Sequence, residues 1–227
     1  MLHITFITIH PAMIEAYRQL AIFKRAEEKG LARIRVLALR DFAVDRHGTV
    51  DGRPCGGGEG MVLRADCLGA AVDSLGGEET LILPSARGRA WSDSGARELL
   101  ATSKNLVFIC GRFGGVDQRF IDRYQPQEIS LGDFIVSGGE LPALTMVDTL
   151  LRLVPGVLGH EESSQLDSFS PALGGCLEFP LYTKPRELWD LGVPRVLMSG
   201  DHREIAKWRE QQSAQVTAKF RPDLLKE

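Results

Sequence analysis

The chain has 227 residues, of which 44% are hydrophobic and 25% are charged. This length suffices for one sizeable core, or for one main domain with a small appendage. The net charge of -3 excludes a strongly basic overall field, so any contact with nucleic acid must come from local basic patches.

The cysteines and the N-terminus give no sign of export. Cys55, Cys67, Cys110 and Cys176 form no CxxC pair, so neither a zinc knuckle nor a thioredoxin-like motif is indicated, and free thiols are expected. The first residues lack a basic region and a cleavage site, and they predict a strand. No apolar run approaches the roughly 20 residues that a membrane-spanning helix needs. We therefore expect a cytoplasmic protein without a membrane segment.

The start of the chain predicts a strand over 2–9, then a helix that begins at Pro11 and continues to Lys29. A second strand is predicted over 34–39. Residues 40–60 carry many charges and little apolar periodicity. A loop of that length is uncommon unless it is functional or disordered.

Strands and helices alternate in the middle of the chain, which is typical of a parallel sheet covered by helices on both faces. We therefore expect an α/β fold. The predicted strands lie over 81–84, 106–110, 128–131 and 134–136, and the predicted helices lie over 65–75, 92–101, 116–124 and 140–154.

The last part of the chain differs in character. Residues 159–180 lack periodicity and indicate a linker or mobile loop. Residues 203–220 predict an amphipathic helix, with a stripe formed by Ile205, Trp208, Gln212 and Val216. We therefore expect three parts, namely a main domain (1–158), a linker (159–175) and a small helical C-terminal domain (176–227).

Three glycine-rich segments, 84–88, 110–117 and 131–143, follow predicted strands. In open α/β sheets ligands bind outside the carboxyl ends of the strands, and glycine lets the backbone approach a ligand closely. One such loop would be weak evidence, but three at the same edge favour a ligand pocket. Residues 56–61 lack the Lys-Ser/Thr of a Walker A loop, and the second segment does not fit G-x-G-x-x-G. Nucleotide and dinucleotide sites are therefore not predicted.

Arg152 is the only Lys or Arg between residues 127 and 178. By default it would satisfy a helix C-terminus, whereas its planar, always protonated group would also suit a developing negative charge. Asp167 has two interpretations as well, a turn or cap residue or a general base. Composition does not decide between them. The five histidines lie far apart without HExxH, so no metal held by them is predicted.

The order of motifs resembles the bacterial tRNA (guanine-N1) methyltransferases, which are knotted enzymes of the SPOUT class. The resemblance covers essentially the whole chain, and its specificity comes from many motifs in the same order. These motifs are RDF (40–42), DRHGTVD (45–51), RPCGGGEGM (53–61), CGRFGGVD (110–117), GDFIVSGGELPA (132–143), PGVLGHE (155–161), DSF (167–169) and YTKP (182–185).

The resemblance, and no residue pattern by itself, implies a deep trefoil knot, which is otherwise nearly absent from proteins. It implies a homodimer whose active site forms where two subunits meet. It also implies methyl transfer from S-adenosylmethionine to N1 of the tRNA guanosine at position 37, beside the anticodon. Relatives depend on magnesium, but the sequence shows no cluster of metal ligands, so magnesium stays an open alternative.

The resemblance also assigns roles to residues. Asp167 matches the base that removes the N1 proton, and Arg152 matches the group that stabilises charge on guanine O6. The residues that match the S-adenosylmethionine site are Pro84, Ser85, Gly111, Gly114, Leu131, Gly132, Phe134, Val136, Ser137, Gly138, Gly139, Leu141 and Pro142. Those that match regions contacting tRNA or shaping the site are Arg40, Asp45, His47, Arg53, Gly57 and Lys184.

Two positions depart from the family pattern. Cys55 stands where relatives commonly have tyrosine before three glycines, and Gly114 stands where they usually have glutamate. The first departure affects a packing or RNA contact. The second removes a carboxylate near the cofactor.

Three other functions fit the sequence less well. A knotted methyltransferase acting on a ribose 2′-hydroxyl would not need a base matched to guanine N1, and DSF and PGVLGHE argue against it. A non-catalytic RNA-binding module would need neither three glycine loops nor the isolated Arg152. A phosphate-binding NTPase is disfavoured by the missing P-loop lysine.

Overall fold

The computed structural model describes residues 1–159 and 166–225. The chain divides into two compact units, Met1–Gly159 and His160–Glu227. The predicted linker lies partly on residues 160–165, outside the described residues. Its bounds therefore stay predictions.

The first unit contains seven strands and six α-helices among its described residues. The strands are β1 (Leu2–Thr8), β2 (Ala32–Ala38), β3 (Asp51–Gly52), β4 (Val62–Leu63), β5 (Thr80–Ala90), β6 (Asn105–Ile109) and β7 (Gln127–Ser130). The helices are α1 (Pro11–Arg18), α2 (Ala21–Glu28), α3 (Ala65–Asp73), α4 (Asp93–Thr102), α5 (Gln118–Tyr124) and α6 (Glu140–Leu153).

Five strands form a parallel sheet in the order β2-β1-β6-β5-β7. Phe6 in the middle of β1 is in register with Val36 on β2 and Phe108 on β6. The α/β fold class is therefore confirmed. The trefoil knot stays a prediction.

The alternation of side chains along each strand places a core on both faces of the sheet. On one face Phe6 and Phe108 are fully buried with stacked rings 5.7 Å apart, in a cluster that includes residues of α1, α2, α4 and α6. On the other face Ile7 and Ile109 pack in a cluster with residues of α3 and α5, including Phe120. Truncating one of these phenylalanines to alanine would lower the free energy of unfolding by about 3–5 kcal/mol.

Two predicted elements were wrong. The helix predicted from Pro11 to Lys29 is two helices, because Leu20 between them has an extended backbone (φ -115°, ψ 154°). The strand predicted over 134–136 is a loop in which Ile135 is 84% exposed. Its apolar, β-branched composition suggested a strand. In the described structure, however, no strand pairs with this segment, and composition alone cannot reveal whether a partner strand exists.

The second unit contains an antiparallel hairpin, β8 (Glu187–Leu188) with β9 (Leu191–Gly192), and the helix α7 (His202–Phe220). The predicted helix is therefore confirmed, and its predicted stripe is half-buried. Its most buried positions are polar, however. Ser213 donates a hydrogen bond to the carbonyl oxygen of Leu177, and Thr217 Oγ1 accepts one from the Leu177 amide.

Candidate functional site

A cavity of about 470 Å³ opens at the carboxyl ends of β5, β6 and β7. The loops that follow these strands, or interrupt them, form its walls. Its volume lies within the roughly 300–1,000 Å³ of small-molecule sites. The three glycine-rich segments of the sequence therefore meet in one place.

The first wall is a bulge in β5. Pro84 and Arg89 both lie in register with Ile129 of β7, so the residues between them loop out of the sheet. Of these residues, Ser85, Ala86 and Arg87 line the cavity. The bulge closes where Gly88 meets β7, since a Cβ atom there would lie 2.5 Å from the carbonyl oxygen of Glu128.

The second and third walls touch directly. The Gly139 amide donates a 2.7 Å hydrogen bond to the carbonyl oxygen of Gly111, and Arg112 forms an antiparallel bridge with Gly138. A Cβ atom on Gly139 would lie 2.8 Å from Gly111 N, closer than real side chains approach. Glycine is thus required for these two loops to make contact.

The segment 53–61 reaches the rim of this cavity. The Gly114 amide donates a 2.8 Å hydrogen bond to the carbonyl oxygen of Met61, and the Leu63 amide donates one of 3.0 Å to that of Gly115. Gly114 does not adopt a left-handed backbone, whereas its neighbour Gly115 does (φ +106°). The β3–β4 hairpin therefore holds the loop after β6 in place.

One end of the cavity is charged. Arg87 Nε lies 2.8 Å from Glu128 Oε2, and the same guanidinium donates to Gln118 Oε1 at 3.1 Å. Burial tends to raise the pKa of Glu128, but hydrogen bonds from Arg87 and Ser85 outweigh it and lower that pKa below its ordinary value. The cavity therefore contains an ionised carboxylate at neutral pH.

The predicted cofactor residues surround this cavity with one exception. Leu141 does not line it, because its side chain projects from the first turn of α6 and is 54% exposed. Sequence reasoning also missed several lining residues. The missed residues include Arg87, Arg112, Phe113, Gln118, Glu128 and Ile135. Most of them lie within or next to the predicted glycine loops, so those loops were the signal that could have found them.

Arg152 and Asp167, the predicted catalytic pair, lie in different units. Arg152 is exposed in the last turn of α6, one turn after Asp148. Burial raises the pKa of Asp148, and the positive charge of Arg152 opposes that rise. Asp167 is partly buried in a turn, where its carbonyl oxygen accepts a hydrogen bond from the Ser170 amide. The pKa of Glu178 is raised by burial and by the negative charge of Asp167.

The residues predicted to contact tRNA mostly lie on exposed surface. Arg40, His47, Arg53, Gly57 and Lys184 are exposed. Asp45 instead stabilises its own turn, since its Oδ1 atom accepts hydrogen bonds from the amides of His47 and Thr49 at 2.8 and 3.2 Å.

The comparison with known families settles where this chain belongs. The model of the family described as tRNA (Guanine-1)-methyltransferase TrmD matches residues 2–227. The chain belongs to this family. The resemblance inferred from the motifs is therefore confirmed.

Similar proteins occur in several bacteria under the name tRNA (guanine-N(1)-)-methyltransferase. The protein from Geotalea uraniireducens is 47% identical over 222 residues, which cover 96% of this chain and 88% of that protein. The one from Staphylococcus epidermidis is 42% identical over 226 residues, which cover 99% and 91%. The one from Pseudoalteromonas translucida is 47% identical over 223 residues, which cover 96% and 86%.

Two further findings concern metals and membranes. Within residues 1–159 and 166–225, no group of three or more His, Cys, Asp or Glu side chains could hold a metal ion. No helix in the same ranges is long and apolar enough to span a bilayer. The four cysteines are all free, as predicted.

Proposed function

We propose that this protein transfers a methyl group from S-adenosylmethionine to N1 of the guanosine at position 37 of tRNA, in the cytoplasm. One observation carries the proposal. Three glycine-containing loops converge on a single cavity at the carboxyl edge of the sheet, in a chain of the tRNA (guanine-1)-methyltransferase family.

The cavity suits S-adenosylmethionine in size and in the backbone groups of its walls. Its glycine walls offer backbone amides and carbonyls to a ligand, and a Cβ atom at Gly138 or Gly139 would fill the space where the walls meet. Glu128 at one end of the cavity is paired with Arg87, so its negative charge is already balanced. The residues that would hold the ligand are those of the β5 bulge, of 111–115 and of 134–139, together with Leu131, Gly132 and Pro142.

The catalytic chemistry follows from guanine itself. Guanine N1 carries a proton, so its lone pair becomes available only when a base removes that proton. We assign this role to the Asp167 carboxylate, which takes up the proton. Negative charge then builds on O6, where the guanidinium of Arg152 stabilises it. S-adenosylmethionine supplies, when bound, a methyl group that is already strongly electrophilic, so no protein nucleophile is needed.

We further propose that the active unit is a homodimer with the site at the subunit interface. Large apolar side chains are exposed around the cavity, with Phe113 at 55%, Phe134 at 59% and Ile135 at 84%. Clustered exposed apolar residues mark interaction surfaces. Arg40, Asp45, His47, Arg53, Gly57 and Lys184 are assigned to tRNA contact or to shaping the site. Magnesium stays an open alternative.

Isothermal titration calorimetry tests the assignment of the cavity. S-adenosylhomocysteine, the demethylated product, should bind with a stoichiometry of one per cavity. ATP should give no heat, since the chain has no P-loop lysine. Binding of ATP together with no response to S-adenosylhomocysteine would contradict the proposal.

A further inference from the structure

Thr8, Arg112 and Glu140 form a buried polar cluster at the first turn of α6. Glu140 is 1% exposed and Thr8 is 0% exposed. Thr8 Oγ1 donates a 2.7 Å hydrogen bond to Glu140 Oε1 and accepts one of 2.9 Å from the His10 amide. The end of β1 therefore holds one oxygen of a buried carboxylate in place.

Arg112 supplies the opposite charge in this cluster. Its Nη1 atom lies 3.7 Å from Glu140 Oε2, and its side chain is 23% exposed. Neither Arg112 Nε nor Glu140 Oε2 has a hydrogen-bond partner in the described part of the chain. Coulomb attraction therefore joins the two groups, and it acts across a water-poor environment in which an unpaired carboxylate would be costly.

The cluster lies directly behind the glycine loop of the cavity. A Cβ atom on Gly138 would lie 2.5 Å from Glu140 Oε2 and 2.6 Å from Arg112 Nη1. The Gly138 backbone thus rests on the ion pair, and Gly138 also lines the cavity. Arg112 lines the cavity as well, but Glu140 does not.

We propose that Glu140 is a positioning residue, which acts through Arg112 to hold the backbone of residues 137–139 in the shape that the cofactor requires. The inference rests on the proposed function, because it takes the cavity to be the S-adenosylmethionine site. Binding sites need their walls held within about 0.5 Å by the residues behind them. A charge pair fixed at one end by Thr8 meets this need, because its position is set by β1 and not by the loop itself.

Glu140→Gln tests the proposal, because it keeps the size of the side chain and its acceptor toward Thr8 but removes the charge that attracts Arg112. We expect the Kd for S-adenosylhomocysteine to rise by about 10- to 100-fold. The KM for S-adenosylmethionine should rise by a similar factor while kcat changes little, since Asp167 and Arg152 are untouched. Thr8→Val should shift both constants in the same direction.

A double-mutant cycle gives a readout that general destabilisation does not move. If Glu140 acts through Arg112, the loss of affinity in Glu140→Gln combined with Arg112→Met should be no greater than the larger single loss. The matched control is Glu27→Gln, which breaks the partly buried pair between Glu27 and Arg18 (Nη2 to Oε1, 3.0 Å). Both residues lie far in the sequence from Arg112 and Glu140. This control should lower thermal stability and leave the Kd unchanged.

The possible outcomes distinguish failure of the positioning role of Glu140 from failure of the proposed function. If the unaltered protein does not bind S-adenosylhomocysteine, the proposed function fails. If it binds, and folded Glu140→Gln and Thr8→Val bind equally well, then Glu140 serves stability alone and the positioning role is overturned. Strictly additive losses in the cycle would overturn it too.

Discussion

The amide of Gly139 donates a 2.7 Å hydrogen bond to the carbonyl oxygen of Gly111, and this bond joins the loops that follow β7 and β6. Gly139→Ala would place a Cβ atom 2.8 Å from Gly111 N and 2.9 Å from Cys110 Cα. The backbone must then move apart, so we expect at least a tenfold rise in the Kd for S-adenosylhomocysteine, by analogy with other small misplacements. Gly192→Ala is the matched control, because a Cβ atom there meets nothing within 4 Å. Equal affinity in the two variants would contradict the account of this contact.

Gly114 allows a test of charge at the cavity. Gly114→Glu is compared with Gly114→Gln, since both bring a Cβ atom to 3.0 Å from the Met61 carbonyl oxygen and only one adds charge. S-adenosylmethionine should bind the glutamate variant more tightly than the glutamine variant, by about 0.2–1 kcal/mol of binding free energy. This difference should shrink as the salt concentration rises. S-adenosylhomocysteine lacks the sulfonium charge and should show a smaller difference. Tighter binding by the glutamine variant would remove the electrostatic explanation.

Asp167→Asn should keep cofactor binding and lose turnover by about 100- to 10,000-fold, because the N1 proton then has no acceptor. Arg152→Ala should also be severely impaired, since charge on O6 loses its partner. Glu178→Gln is the control. Glu178 is the rival candidate for the base, because burial and the negative charge of Asp167 raise its pKa. Single-turnover rates decide between the two acids. Normal rates in Asp167→Asn with loss in Glu178→Gln would transfer the role of base to Glu178.

A shared site predicts rescue between two inactive variants. Asp167→Ala mixed with Gly139→Trp should, after subunit exchange, regain about a quarter of the activity, because half of the dimers are mixed and each has one intact site. Gly138→Trp mixed with Gly139→Trp should regain nothing, since both lesions lie in the same loop. Sedimentation should show a dimer. A monomer, or exchange without rescue, would contradict the shared site.

Most strands and helices of the first unit were predicted from the sequence. A parallel sheet with helices on both faces produces clear apolar runs, because its strands are buried on both sides. The strand ends near Thr8, Ile109 and Ser130 were predicted to within one residue, and the convergence of the glycine loops followed from the edge that parallel strands share. Local pattern failed where tertiary contact decides the structure. The break at Leu20 and the exposed path of Ile135 are examples.

The buried cluster was also beyond sequence reasoning. Glu140 follows two glycines and begins a mostly apolar helix, where a carboxylate is explained well enough by the helix dipole. Only the fold brings together Thr8 at the end of β1, Arg112 in the loop after β6 and Glu140 at the start of α6. Arg152 and Asp167 belong to different units, and their joint catalytic role stays a prediction.

The most direct test of the central proposal is methyl transfer to an unmodified tRNA transcript that has guanosine at position 37, with labelled S-adenosylmethionine. Nuclease digestion and mass spectrometry then locate the methyl group. We predict one methyl group per tRNA, on N1 of that guanosine, and none on a transcript with adenosine at the same position. A methyl group on a ribose 2′-hydroxyl, or on another nucleotide, would contradict the account.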